Sequence, residues 1–253
     1  MPKNSSIAVL VSGGLDSCVL LAESAKSYRR VWPIYVRQGL VWEEVELYWL
    51  RRYLKAITLT PNPSPLNMER GKNLNKNKTL SLLKGEGGRR PGEGVQPLVI
   101  LSLPMHDVYG NHWSTGRQTT PGARTKDEAV YLPGRNLVLS LKPAVFAAMN
   151  KIPILALGSL AHNPFSDAAP AFFRQWGSVL SRGLGSKICV IAPYRQCSKA
   201  DVIRKGSDWP LQLSFSCIAP RGKKHCGRCN KCAERRRAFR SAKVEDKTIY
   251  AKN

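Results

Sequence analysis

Six residues near the N-terminus, Ser12-Gly13-Gly14-Leu15-Asp16-Ser17, have the make-up of a phosphate-binding loop. Adjacent glycines let a backbone adopt positive φ and approach a ligand closely, and the two serines add hydroxyl donors to the backbone N–H groups of a helix start. Asp16 is the odd member. A carboxylate beside a phosphate repels it unless a cation lies between them, so its presence implies Mg²⁺. The same residues would also make a plain strand-to-helix turn, with Asp16 and Ser17 as helix caps. The third glycine of a dinucleotide-binding turn is absent, and no Gly-Lys-Ser/Thr follows as in a Walker loop.

A second cluster stands at the opposite end, where Cys217 is followed by Cys226, Cys229 and Cys232. Two Cys-x-x-Cys steps sharing Cys229, plus a fourth thiolate, suit tetrahedral Zn²⁺, and iron–sulfur proteins use similar spacing for a four-iron cluster. Lys223, Lys224, Arg228 and Lys231 lie beside these cysteines and would offset the negative charge of four thiolates around a divalent ion. With every position filled, such a zinc site is closed: it would staple the C-terminal tail and activate no water. Cys18, Cys189 and Cys197 read as buried small hydrophobes, and His106, His112, His162 and His225 show no ligand spacing.

These residues need elements to hold them. Residues 7–11 form a continuous β-favouring run that ends in the glycine loop, and an apolar periodicity over 15–25 follows: strand, tight turn, helix. Residues 31–36 and 43–56 repeat the unit. Further strands are expected at 98–103, 154–158 and 188–192, with helices at 137–149 and 171–180. Short apolar strands alternating with helices predict an α/β fold around a buried, parallel, five-stranded, doubly wound sheet.

Residues 60–95 break the pattern with four prolines, six glycines, five asparagines and no aromatic side chain, so they cannot build a core. They read as a disordered insertion at a surface helix-to-strand connection, where loop-closure entropy rises only slowly with length. Passenger sequence and a mobile basic arm both fit, because the segment carries seven Lys+Arg against three Glu. The organisation expected is a nucleotide-binding domain of 1–59 and 96–210, the insertion, and a module of 211–253 holding the cysteines and a tail helix. Residues 110–132, rich in Gly, Thr and charge, read as a loop that could close over a site.

The whole chain has 253 residues, 43% apolar and 8% aromatic, enough for one sizeable core or two small ones. Forty Lys+Arg against seventeen Asp+Glu leave a net charge of +23, which favours phosphate-rich partners and excludes the usual acidic enzyme surface. The apolar run at 7–11 is too short for a signal peptide or a membrane span, so the chain reads as soluble and cytoplasmic. Seven cysteines, an odd number with three of them in one heptapeptide, point to metal or redox chemistry in a reducing compartment.

The hexapeptide resembles the SGGxDS pyrophosphate loop of the N-type ATP pyrophosphatases, the PP-loop superfamily. Combined with the C-terminal Cys-x8-Cys-x2-Cys-x2-Cys cluster, the Arg235, Ala238 and Phe239 that follow it, and the segment YLPGRNLVLSLKPAVFAAM at 131–149, the chain is similar to the 7-cyano-7-deazaguanine synthase (QueC) family. That resemblance implies a PP-loop, adenine-nucleotide-hydrolase-like sheet with a small zinc module. It implies ATP, Mg²⁺ and Zn²⁺, and conversion of 7-carboxy-7-deazaguanine with ammonia to the nitrile through an acyl adenylate, in a homodimer. Ser12, Gly13, Gly14, Leu15, Asp16 and Ser17 would hold ATP, with Asp16, Ser17 and Arg135 catalytic. Gln38, Gly134, Arg135, Asn136 and Asp167 would meet the substrate, and Cys217, Cys226, Cys229 and Cys232 the zinc.

The chain departs from the family where a Tyr-Gly-Gln segment is usual: it has Tyr35-Val36-Arg37-Gln38-Gly39, with Gln38 as counterpart. It departs again at the Asp-Cys-Arg segment, where Asp167 is kept and alanines stand at 168 and 169. A side branch acting on another carboxylate fits these departures. A PP-loop tRNA-modifying enzyme of thiolation or lysidine type fits the basic tail, where residues 217–253 carry twelve Lys+Arg against three acids. A non-catalytic zinc-bearing nucleic-acid module is disfavoured by the intact loop.

Overall fold

The computed structural model describes residues 5–59, 93–116, 118–161 and 163–252. Most of the expected insertion, and His162, lie outside those residues. Strand β1 (Ser6–Leu10) turns into helix α1 (Leu15–Ser27), and β2 (Arg30–Arg37) leads to α2 (Glu43–Leu59). After the connection come β3 (Gly94–Val95), β4 (Val99–Ser102), a single-turn α3 (His106–Tyr109) and α4 (Arg135–Met149). Then follow β5 (Ile154–Ala156), α5 (Pro170–Leu184), β6 (Cys189–Ile191), α6 (Lys199–Lys205) and α7 (Asn230–Ala242).

Every pairing in the sheet is parallel, and the order across it is β3/β4, β2, β1, β5, β6. The strands are apolar on both faces because both are covered. Ile7 and Val9 of β1 face a core shared with α1, α2, α6 and α7, while Ala8 and Leu10 face a second core under α4 and α5. The sheet is doubly wound as expected, with one difference: the third sequence strand is split. Gly94–Val95 pairs with Arg30 and Val31, and Val99–Ser102 with Ile34 to Arg37. The break lies opposite Pro33. Val31 and Arg37 direct their carbonyls at this neighbour, so Pro33, in the same alternation, faces it with no N–H to give. The last residues of the expected insertion are therefore sheet, and Glu93 beside them pairs with Arg29 at 2.8 Å.

One further expectation is corrected. Cys189 is exposed on the edge strand, whereas Cys18 is buried. The loop expected at 110–132 does lie over a cavity, which Trp113, Asp127, Val130 and Leu132 help to line, and Asn230 binds the segment through Pro121 O at 3.0 Å and Thr125 O at 2.8 Å. Among the described residues no helix is long and apolar enough to cross a membrane.

The order of the strands reverses between β1 and β5. The chain moves outward from β1 to β2 and β4, then returns to β5 and β6 on the other side. At such a point the connections leaving the two adjacent strands diverge and open a crevice beyond their C-terminal ends.

Candidate active site

The glycine loop lies in that crevice. Gly13 has φ of +74°, and a Cβ there would sit 3.3 Å from the Glu46 carbonyl, so only glycine lets the loop lie against α2. Ser17 Oγ accepts from Ser12 N at 3.2 Å and donates to Gly14 O at 3.1 Å, and Ser12 Oγ accepts from Gly14 N at 3.3 Å. The two serine hydroxyls thus shape the turn itself. Phe215 N donates to Gly13 O at 2.6 Å, which ties the loop to the segment before the cysteines.

Two adjoining cavities open from the loop, of ≈ 190 and ≈ 420 Å³. The smaller is lined by apolar Leu10, Ile34, Val36 and Leu157 and by polar Gln38, Glu43 and Glu46. The Gln38 side chain is 1% exposed, and neither its oxygen nor its nitrogen has a hydrogen-bond partner. An amide buried with both ends unpaired costs free energy that a bound ligand can recover. The larger cavity runs from the loop to the cysteine module, walled by Trp42, Trp113, Phe215 and Ile218. Trp42 and Trp113 stack with centroids 5.5 Å apart, and the buried Trp113 indole N–H is unpaired.

Gly134, in the left-handed region at φ +66°, begins α4 and sends Arg135 and Asn136 to the point where the cavities meet. The Arg135 Nε is buried without a partner. Asp167 secures this turn: Oδ2 accepts from Asn136 N at 2.8 Å and Oδ1 from Asn136 Nδ2 at 3.3 Å. Both carboxylate oxygens are therefore engaged by the chain.

Asp16 Oδ2 lies 3.5 Å from Lys199 Nζ, and Oδ1 is buried with no partner. Burial raises the Asp16 carboxyl above the ordinary range, against the pull of the Lys199 charge. Lys199 also meets Glu234 Oε1 at 2.5 Å, and Glu234 Oε2 meets Lys231 Nζ at 2.7 Å. Burial alone would lower the Lys199 pKa, but the carboxylates of Asp16 and Glu234 hold it above the usual lysine value. For Glu234, burial is outweighed by the two lysines, and its carboxyl sits at about 2. A ladder of alternating charges thus joins the loop, α6 and α7.

The four cysteine sulfurs lie within 4.8 Å of one another and could hold a metal ion. Cys217 to Cys229 is 3.9 Å and Cys226 to Cys232 is 4.0 Å. One tetrahedral ion with metal–sulfur bonds of ~2.3 Å spaces its sulfurs ~3.8 Å apart, so the donor set and its size are consistent with zinc. Cys226 N donates to Cys217 Sγ at 3.2 Å, and Cys229 N to Cys226 Sγ at 3.3 Å. Such bonds orient thiolate ligands. His225 is buried close by as a strut, accepting from Ser216 N at 3.1 Å, and burial lowers its pKa to about 3. Arg235, 1% exposed, donates to Leu211 O, Ser214 Oγ, Ser216 Oγ and Thr248 Oγ1 and so fixes the segment that carries Phe215 and Cys217.

The structure therefore brings Ser12, Gly14, Leu15, Asp16, Ser17, Gln38, Arg135, Asn136 and Asp167 to the cavity walls. Gly13 and Gly134 line neither and act through the backbone. Residues 12–17 had no visible tie to Glu46, Lys199, Glu234 or Trp113, which share the same walls. Lys199 was nearest to legible, since Ser198 and Asp201 form a capping box that announces its helix.

Comparison with known proteins gives four findings. A family model described as queuosine biosynthesis protein QueC matches residues 99–243, a span that holds the Gly134–Asn136 turn, Asp167 and the cysteines but not the glycine loop. A 7-cyano-7-deazaguanine synthase of Methanothrix thermoacetophila is 29% identical over 248 residues, 95% of this chain and 96% of that protein. A 7-cyano-7-deazaguanine synthase of Brucella anthropi is 34% identical over 125 residues, 47% of this chain and 53% of that protein. Among solved structures, the U34-tRNA thiolase NcsA from Methanococcus maripaludis with its [4Fe-4S] cluster aligns with a TM-score of 0.44 at 12% identity, covering 97% of this chain and 75% of that one.

Proposed function

The chain belongs to the family of queuosine biosynthesis protein QueC, and on that premise we propose that it uses ATP to convert 7-carboxy-7-deazaguanine and ammonia into 7-cyano-7-deazaguanine. The observation that carries this reading is the two-lobed cavity, with the glycine loop at its waist and the cysteine module at its far wall. The smaller lobe suits adenine: Leu10, Ile34, Val36 and Leu157 give it apolar surface, it lies at the sheet's reversal point, and the Gln38 amide offers both donor and acceptor atoms. The larger suits a flat base beside the Trp42–Trp113 stack, with the unpaired indole N–H as a donor.

The substrate carboxylate would then meet the α-phosphate at the waist. Backbone N–H groups of 12–17 receive the departing pyrophosphate, and Arg135 sets its charge against the adenylate. Asp16, with a buried oxygen that nothing in the chain satisfies, fits a Mg²⁺ ligand, and that ion would neutralise phosphate charge. Asp167 positions Arg135 and Asn136 and leaves the substrate to them. Four thiolates at these spacings fit a closed zinc site that builds the cavity wall.

The test is to incubate the protein with ATP, Mg²⁺, ammonium and 7-carboxy-7-deazaguanine and to follow nitrile and AMP by mass spectrometry. Both products should form together. ATP cleavage that appears only on adding tRNA would replace this reading with a tRNA-modifying one, and cleavage with a different carboxylate would place the chain on a side branch.

A further inference from the structure

We propose that Glu46 is the proton acceptor for formation of the carbon–nitrogen bond. The inference rests on the functional reading above and adds a residue to it. Adenylation must bring the reacting carbon to the waist, where the nucleotide lobe and the substrate lobe join. Asp16 and Glu46 are the two carboxylates that line both lobes. Asp16 is paired with Lys199 and is the residue proposed above to hold the cation beside the phosphates. None of the described histidines lines either lobe. Glu46 is therefore the carboxylate left to serve as a base at the place where one is needed.

The chemistry requires one. When ammonia attacks the acyl adenylate, a C–N bond forms and the C–O bond to AMP breaks, its electron pair leaving on the phosphate oxygen. The nitrogen must then shed one proton to become the neutral amide. The Glu46 carboxylate takes that proton and passes it to water. In the second round ATP adenylates the amide oxygen with release of pyrophosphate, and the nitrogen sheds its two remaining protons as the nitrile forms and AMP departs. Each proton leaves from the same nitrogen, within reach of the same group.

The surroundings of Glu46 suit the task. It sits on α2, 7% exposed, and its Oε2 accepts from Tyr35 OH at 2.8 Å. Burial raises its pKa to about 8; Arg135 from α4 and the bonds from Tyr35 and Trp42 pull it down, and Glu43 pushes it up. Cys18 on α1 also faces it, as a thiol kept protonated by burial. A carboxyl poised near neutrality can both accept a proton and return it to solvent. Tyr35 fixes the oxygen's direction without competing for the proton, because burial keeps its own phenol far above the usual range.

Partial reactions separate the roles. Exchange of labelled pyrophosphate into ATP, with the carboxylate present and ammonia absent, reads adenylation alone. Glu46→Gln keeps an acceptor for Tyr35 and should hold exchange within about 3-fold of wild type while amide formation falls about 100-fold or more. With hydroxylamine as a nucleophile already unprotonated over the range, wild-type hydroxamate formation should rise with pH through about 8, and Glu46→Gln should lose that limb. Tyr35→Phe removes a bond that lowers the Glu46 pKa, so its limb should move to higher pH with exchange unchanged. Equal loss of exchange and amide formation in Glu46→Gln, or an unaltered pH limb, overturns the proposal. Absence of exchange in the wild-type protein would instead overturn the functional reading, and this inference with it.

Discussion

At the scale of single residues, the site is a set of polar atoms that the fold buries and leaves unpaired. Asp16 Oδ1, Arg135 Nε and both ends of Gln38 belong to it. Asp16→Asn should keep the fold and lower Mg²⁺-dependent ATP cleavage at least ~100-fold, as measured by AMP release, because the amide cannot hold a cation beside phosphate. Asp167 acts differently, since both its oxygens serve Asn136. Asp167→Ala should cost ~1–3 kcal/mol in urea titrations through the unpaired Asn136 donors, and should weaken catalysis by releasing Arg135. The raised Glu46 pKa also has a sign for stability. Between the ordinary carboxyl value of 4.5 and about 8 the folded protein keeps a proton that the unfolded chain has lost. Unfolding free energy from this group therefore falls as pH rises through that window. Thermal melts of Glu46→Gln should accordingly exceed wild type by a margin that widens from pH 5 to pH 8. The role of Glu46 was hidden in the sequence because a glutamate on an amphipathic helix reads as a solvent-facing residue. Its burial comes from Tyr35 and from a glycine loop that lies against its carbonyl.

At the scale of elements, the β-α units around the sheet were legible because each strand is a continuous apolar run ending in a turn signal. The ladder from Asp16 through Lys199 to Glu234 was not, since it joins three elements far apart in the chain and no local spacing encodes it. Helix α6, which carries Lys199, has seven residues, too few for an apolar period to stand out. The segment 110–132 was legible as a loop over a site, but not what anchors it: Trp42 and Asn230, which hold it in place, lie far away in the chain. Acid should weaken the ladder first at Asp16, whose pKa burial raises, and last at Glu234, whose depressed pKa contributes stability that is complete above 4.5 and fades as pH falls toward about 2. Arg235 is the pin between α7 and the 211–216 segment. Arg235→Met should cost ~3 kcal/mol or more on chemical unfolding, because four oxygen acceptors lose their donor in the core.

At the scale of the whole molecule, the connection between α2 and β3 sets where the chain can be shortened. Glu93 pairs with Arg29, and Gly94–Val95 extends the sheet. A protein lacking residues 60–92, with a short glycine–serine bridge in their place, should keep its melting temperature and its ATP-dependent activity. A deletion carried through 95 should lower both, because it strips the first half of a split strand. The bond from Phe215 N to Gly13 O has a wider consequence. It ties the C-terminal module to the backbone of the proposed nucleotide site, so metal and nucleotide binding should be coupled. Whatever factor metal loss removes from ATP affinity, bound ATP must return to metal retention, since coupling free energies are reciprocal. A chelator titration in the presence and absence of a non-hydrolysable ATP analogue should show the same factor as nucleotide titrations of the metal-loaded and metal-free protein. Equal factors would make the cysteine module a thermodynamic effector of the nucleotide site, built into the same chain.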